Sequence, residues 1–221
     1  MNLEFETHCP RLAKLLPPLI ADDEQHALLL NSLSMMESVG ARKIAAYVNP
    51  IHVDQITLQH AAEEMRHAYY LKRQIKKLGQ NLPDYSPRNL LAPHASYRYL
   101  HRLDWACSHH LKSLGYTGRA LKHGCYLLVT YLIEVRAMKL YHTYQDALTH
   151  AGSRVHVRSI IKEEEGHLNN MSEQLQAFDS NWHEHIETLT PIEQQLFDGW
   201  VKHIYHAISN QSSQEMTWDT P

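Results

Sequence analysis

Glu64 and His67 stand three residues apart in the run AAEEMRHAYYL, residues 61–71, and Glu164 and His167 repeat that spacing in EEEGHL, residues 163–168. On an α-helix, residues at i and i+3 project from one face, so a carboxylate and an imidazole at this spacing can hold one metal ion. A single E-x-x-H is weak, because a chain with so many Glu and His shows roughly one by chance. The weight lies in the set. Each pair follows a lone Glu in an apolar stripe at helical spacing: Glu37 among Leu30, Leu33, Ala41 and Ile44, and Glu134 among Leu127, Tyr131, Ala137 and Tyr141. Burying an unpaired carboxylate costs several kcal/mol. Two divalent cations would cancel the four negative charges of the Glu set while the His remain neutral, so the residues point to a dinuclear metal site.

The elements that position these groups follow from periodicity and breakers. The pattern predicts a short helix over Arg11–Leu16, stopped by Pro17 and Pro18. A long helix runs from the acidic start at Ala21–Glu24 to Val48, and Asn49-Pro50 breaks it. A second runs from the cap candidate Asp54 to Leu78, with Gly79 as its stop. After an irregular stretch with Pro83, Pro87 and Pro93, a helix spans Ala95–Leu114. A third core helix covers Arg119–Thr149, and a fourth Arg154–Phe178. A last helix over Pro191–Ile208 has Pro at its first turn, and the polar tail from Asn210 reads as disordered. In an antiparallel hairpin, facing residues are equidistant from the turn. The midpoint of Glu37 and Glu64 falls between Pro50 and Ile51, and that of Glu134 and Glu164 at Thr149. Both lie at breaks placed from Pro and Gly signals alone.

The expected fold is therefore all-α, with one domain over residues 21–209, an N-terminal extension over 1–20 and a tail over 210–221. A length of 221 residues suits one sizeable core. A net charge of −3 gives no global case for nucleic-acid binding. The three cysteines form no C-x-x-C pair, which argues against a disulfide framework or thiolate metal site. There is no uninterrupted apolar start and no run of 18 apolar residues, so the expectation is a cytoplasmic protein without a membrane span. The oligomeric state is left open. One local bias stands out: Arg88, Arg98, Arg102, Lys112, Arg119 and Lys122 lie in segment 87–123 with only Asp104 opposing them. Such a segment suits a solvated helix face, or an anionic partner.

The order Glu37, Glu64-x-x-His67, Glu134, Glu164-x-x-His167 resembles the ferritin-like diiron-carboxylate superfamily, in which a four-helix bundle supplies one Glu from each of two helices and Glu-x-x-His from each of the other two. The resemblance covers residues 21–178 and implies a ferritin-like four-helix bundle with extra helices in the crossover and at the C-terminus. Glu63-Glu64-Met65-Arg66-His67 is also similar to the form found in bacterial diiron monooxygenases. The second copy departs from it, with Gly166 where Arg would stand, and Met138 occupies a position where those enzymes often place Thr.

The resemblance implies two iron ions as cofactors, with manganese also suited to the ligands. The metal ligands are then Glu37, Glu64, His67, Glu134, Glu164 and His167, and the metal centre itself is the catalytic group. Around them, Glu63 is expected to accept the ring N–H of His167 and Glu163 that of His67. Tyr131 and Tyr141 are read as core aromatics or as outer donors and pocket walls beside Glu134, and His60, one turn before Glu64, as an outer or surface residue within reach of the metals. The implied activity is that of an oxidoreductase: an O2-dependent oxidase or hydroxylase acting on a small organic substrate, fed by a ferredoxin or reductase. The alternatives are a ferroxidase-like iron-handling bundle, a manganese-catalase or peroxidase type, and a tRNA-hydroxylase-like role. An apolar cavity bounded by Ser34, Thr130, Tyr131, Ala137 and Met138, with the basic segment near its mouth, is expected to reach the metals.

Overall fold

The computed structural model describes residues 9–48, 51 and 54–215, with the side chains of 210–215 left aside. Among the described residues the chain is all-helical, with seven α-helices and no strand. They are α1 (Pro10–Ala21), α2 (Asp23–Tyr47), α3 (Gln55–Ile75), α4 (Pro93–Ser113), α5 (Gly118–His150), α6 (Arg158–Phe178) and α7 (Trp182–Glu215). None is long and apolar enough to cross a membrane.

Caps set the helix starts that matter for the site. The Asp22 carboxylate accepts from the backbone N–H of Glu24 and Gln25, and that of Asp54 accepts from Ile56 and Thr57, so α2 and α3 each begin on a satisfied cap. Beyond α3 a single 3-10 turn, Lys76–Leu78, ends at Gly79 with φ +71, a left-handed value that favours glycine.

α2 and α3 form one hairpin, and α5 and α6 a second. Both are antiparallel. Ser34 donates its hydroxyl to the Ala68 carbonyl at 2.6 Å, while Gly40, further along α2, faces Glu64, further back on α3. Gly124 of α5 likewise lies against Phe178 at the far end of α6. Contacts of α3 with α6 and of α2 with α5 close the two hairpins into a cycle of four helices. α4 and α7 pack on each other and on α5, and α1 lies across α2, α5 and α7. One apolar core joins α1, α2, α5 and α7 around Leu16, Leu19, Leu30, Tyr141 and Trp200. A second, around Leu103, Leu111, Leu127, Met171 and Leu175, fills the space between α4, α5 and α6.

Two helix bounds near the termini need correction. α1 does not stop at Pro17 and Pro18 but passes through both. Leu12, Leu15, Leu16, Leu19 and Ile20 keep one face buried throughout, while the prolines and the residues one turn before them, Ala13 and Lys14, are exposed. Water can therefore satisfy the carbonyls that the prolines leave without a donor. α7 begins at Trp182, nine residues before Pro191, which lies inside it on an exposed position. The helical backbone of α7 runs through Glu215. Residues 216–221 and 1–8 lie outside the described part.

Candidate metal centre

The four helices of the cycle carry the sequence-derived ligands to one buried place. Glu64 and His67 come from α3, Glu164 and His167 from α6, Glu134 from α5 and Glu37 from α2. Glu64, His67, Glu134, Glu164 and His167 are buried, and Glu37 is half-buried at the margin. His67 Nδ1 lies 3.2 Å from Glu164 Oε1 and 3.6 Å from Glu64 Oε1. His167 Nδ1 lies 3.1 Å from Glu164 Oε2, 3.4 Å from Glu64 Oε1 and 3.7 Å from Glu134 Oε2. The Tyr141 hydroxyl donates to Glu37 Oε1.

Both imidazoles turn the same nitrogen inward because the other is held from outside. His67 Nε2 lies 2.7 Å from Glu163 Oε2, and His167 Nε2 lies 2.8 Å from Glu63 Oε2. Each outer acid precedes a ligand Glu by one position, which rotates it about 100° around its helix toward the neighbouring helix. An N–H donated from Nε2 fixes the tautomer that leaves Nδ1 as a lone-pair donor facing the cluster. The two halves differ in what steadies the acid. Glu163 accepts two bonds from the Arg66 guanidinium, both at 2.7 Å, whereas Glu63 accepts from the Gln59 amide at 3.1 Å. The departure at Gly166 explains this, because no Arg stands there to serve Glu63.

His60 is buried, which removes the surface reading of it. It is 5 % exposed, and its Nε2 lies 2.9 Å from Glu134 Oε1 and 3.6 Å from Glu64 Oε1. The ligand atoms of His60, Glu64, Glu134 and His167 all fall within 4.8 Å of one another, as do those of Glu37, Glu64 and His67. A signal was present in the sequence: His60 precedes Glu64 by four residues, which puts it on the same helix face one turn back. Tyr131 goes the other way. Its ring meets Trp182 edge-on, with centroids 5.2 Å apart, and belongs to the apolar core under α7.

Three of the five residues expected around a cavity are engaged elsewhere. Ser34 is engaged with the Ala68 carbonyl and the Tyr85 hydroxyl, Tyr131 faces Trp182, and Ala137 packs into the first apolar core. Met138 is half-buried. Thr130 lines a cleft. This cleft, of about 430 Å³, is bounded by Lys43, Ala46 and Tyr47 of α2, Asp104 and Ser108 of α4, and Leu121, Lys122, Cys125, Tyr126, Val129 and Thr130 of α5. Thr130 stands one helical turn before Glu134. The Tyr126 ring stacks on Tyr47 at 4.1 Å, and its pKa is pushed up to about 12, first by burial, with Glu134 among the charges that add to the effect.

The electrostatics of the cluster would favour a bound cation. Glu164 is pushed up to about 8 by burial and then by Glu134. Burial, followed by neighbouring carboxylates, raises Glu64 and Glu37 well above the usual range. Burial opposes ionisation of Glu134 too, but hydrogen bonds with Glu164, His167 and His60 outweigh it and hold its pKa low. His67, at about 9, and His167, at about 12, are lifted against burial by the surrounding carboxylates. Such groups compete to share protons, and divalent cations would displace those protons. A fit to metal is also visible atom by atom. Glu64 Oε1, His67 Nδ1 and Glu164 Oε1 are buried without a hydrogen-bond partner, since the close approach of His67 to Glu164 lacks hydrogen-bond alignment. Leaving buried polar atoms unsatisfied is costly, and three aimed into one cluster of oxygen and nitrogen donors match hard or borderline divalent ions.

Scans against protein-family profiles, curated proteins and solved structures each returned no match.

Proposed function

We propose that this chain is a dinuclear non-haem metalloprotein of ferritin-like type, holding iron, and that it catalyses the O2-dependent oxidation of a small organic molecule, hydroxylation foremost. The observation that carries this reading is the convergence of four Glu and three His, two of the His locked by outer acids, one helical turn from a cleft that opens to solvent. Glu37, Glu64 and His67 would hold one ion, and His60, Glu134 and His167 the other. Glu64 and Glu164 lie between the two groups. A diferrous pair supplies two electrons to O2, and hydroxylation balances as R–H + O2 + 2 e⁻ + 2 H⁺ → R–OH + H2O. The two electrons for the next turnover come from a ferredoxin-type donor.

The protein's own contribution is positioning and exclusion. Glu63 and Glu163 orient the imidazoles, Tyr141 holds Glu37, and the buried surroundings keep bulk water from the reacting atoms. The cleft along Tyr126 and Thr130 provides substrate access, and its walls suit a partly apolar or aromatic molecule.

The test is anaerobic loading with ferrous iron, followed by exposure to O2. About two ions per chain should bind, and O2 should be consumed repeatedly only with an electron donor and a substrate. Accumulation of ferric iron well beyond two per chain would instead identify an iron-handling bundle. Rapid dismutation of hydrogen peroxide by a manganese-loaded form, with an iron form inert to O2, would identify a catalase. Absence of any bound transition metal would end the reading.

A further inference from the structure

The basic segment that the sequence marks out does not form one surface. α4 divides it. Asp104 and Ser108 look into the cleft near the metal centre, where Lys122 also lies, whereas Arg98, His101, Arg102 and Trp105 line a second and larger groove between α4 and α7. That groove encloses about 700 Å³, and its floor is apolar: Ala95, Tyr99, Ala106 and Trp200 are buried beneath it, and Ile192 and Leu196 form the opposite wall. Among the described residues no acid lines it. Arg98 and Arg102 are one turn apart on an exposed face, and neither has a carboxylate partner among the described residues. Trp105, one turn further, is 67 % exposed, with His109 stacked against its ring.

A third observation concerns Gly199, in the interior of α7 on the groove wall. Glycine weakens a helix interior. The usual reason to keep one there is close packing, yet a Cβ at Gly199 would meet no atom within 4 Å. The space it leaves open belongs to the groove.

We infer that the groove between α4 and α7 is a binding site for a small aromatic anion, with the planar body held on Trp105, Leu196 and the bare backbone at Gly199 and the acidic head on Arg98 and Arg102. Two unpaired guanidiniums one turn apart give the charge, and an exposed indole beside an apolar floor gives stacking area and cation–π support. The size falls in the range of small-molecule sites and is concave, unlike the broad, flat surface that a protein partner needs. This site is separate from the metal centre and does not depend on the reading given for it.

Isothermal titration of the full chain with 1-naphthoate, its neutral analogue 1-naphthalenemethanol, and AMP tests the inference. Naphthoate or AMP should saturate a single site with a dissociation constant below about 0.1 mM, and the alcohol should bind roughly tenfold more weakly than naphthoate. Tighter binding of AMP than of naphthoate assigns the head to a phosphate, and the reverse to a carboxylate. Arg98→Gln with Arg102→Gln should abolish the preference for the anion. Gly199→Leu should weaken all three ligands roughly tenfold or more while keeping thermal stability, because its Cβ enters open space on the groove wall. The inference is overturned if neither anion saturates by about 1 mM, if the alcohol binds as well as naphthoate, or if both sets of variants bind like wild type. It is likewise overturned if only a single-stranded oligonucleotide binds through these arginines. Should Gly199→Leu fail to fold, the arginine pair decides.

Discussion

His60 on α3 places its Nε2 2.9 Å from Glu134 Oε1 on α5, so the cluster contains three imidazoles in an asymmetric arrangement, two in one ligand group and one in the other. Metal bound by both groups would sit in two unlike positions, the nitrogen-rich one nearer the cleft lined by Thr130. If His60 is a ligand, X-ray absorption of the zinc-loaded protein should count about 1.5 imidazoles per metal, falling to about 1 in His60→Ala. An unchanged count would reduce His60 to a hydrogen-bond partner of Glu134.

The outer acids should matter without touching a metal. Glu163→Gln and Glu63→Gln keep size and shape but weaken the hold on the imidazole N–H, and are expected to lower metal affinity by about 10- to 100-fold. The Glu163 variant should also free Arg66, which no longer has a carboxylate to grip with both nitrogens. Competition with a chelator of known affinity measures both, and variants as tight as wild type would remove the outer acids from the design.

Away from the metals, Arg136 and Glu193 form a buried pair that ties α5 to α7, with contacts of 2.5 and 2.9 Å. Tyr99 donates to the same carboxylate at 2.7 Å, and the guanidinium lies 4.1 Å from the Phe197 ring centroid. Removing one member strands the other, so Arg136→Met should destabilise the fold by about 3–5 kcal/mol, whereas adding Glu193→Leu should restore part of the loss. Urea denaturation of the single and double variants gives the comparison.

His26 predicts a pH dependence that does not involve the metal site. It is fully buried, its Nε2 is 2.5 Å from the Tyr144 hydroxyl, and burial lowers its pKa to about 4. The unfolded chain, with His26 near 6.5, takes up the proton first as pH falls. The contribution of neutral His26 is therefore fully present above about pH 6.5 and is lost progressively down to about pH 4, at most about 3 kcal/mol. His26→Phe should flatten that part of the stability profile, measured by denaturant titration of the metal-loaded protein between pH 4 and 7.5. A slope identical to wild type would contradict the assignment.

The local order of the sequence determined the helical class and the faces of the chemistry. A 3.6-residue repeat puts Glu64 with His67 and Glu164 with His167 on common faces whatever their surroundings, and Asp22, Asp54 and Gly79 mark ends through bonds and dihedrals that need no distant partner. Breakers were less decisive. Pro17, Pro18 and Pro191 break a helix only when the carbonyls they orphan are buried, and their position on exposed faces follows from how α1 and α7 pack. The same holds for His60 and Tyr131, both on or near the right stripe: rotation of α5 against α3 and α7 turns one onto Glu134 and the other onto Trp182. The division of the basic segment into two clefts, and the open space over Gly199, arise only once α4 is laid between α5 and α7. Neither contact is encoded in spacing along the chain.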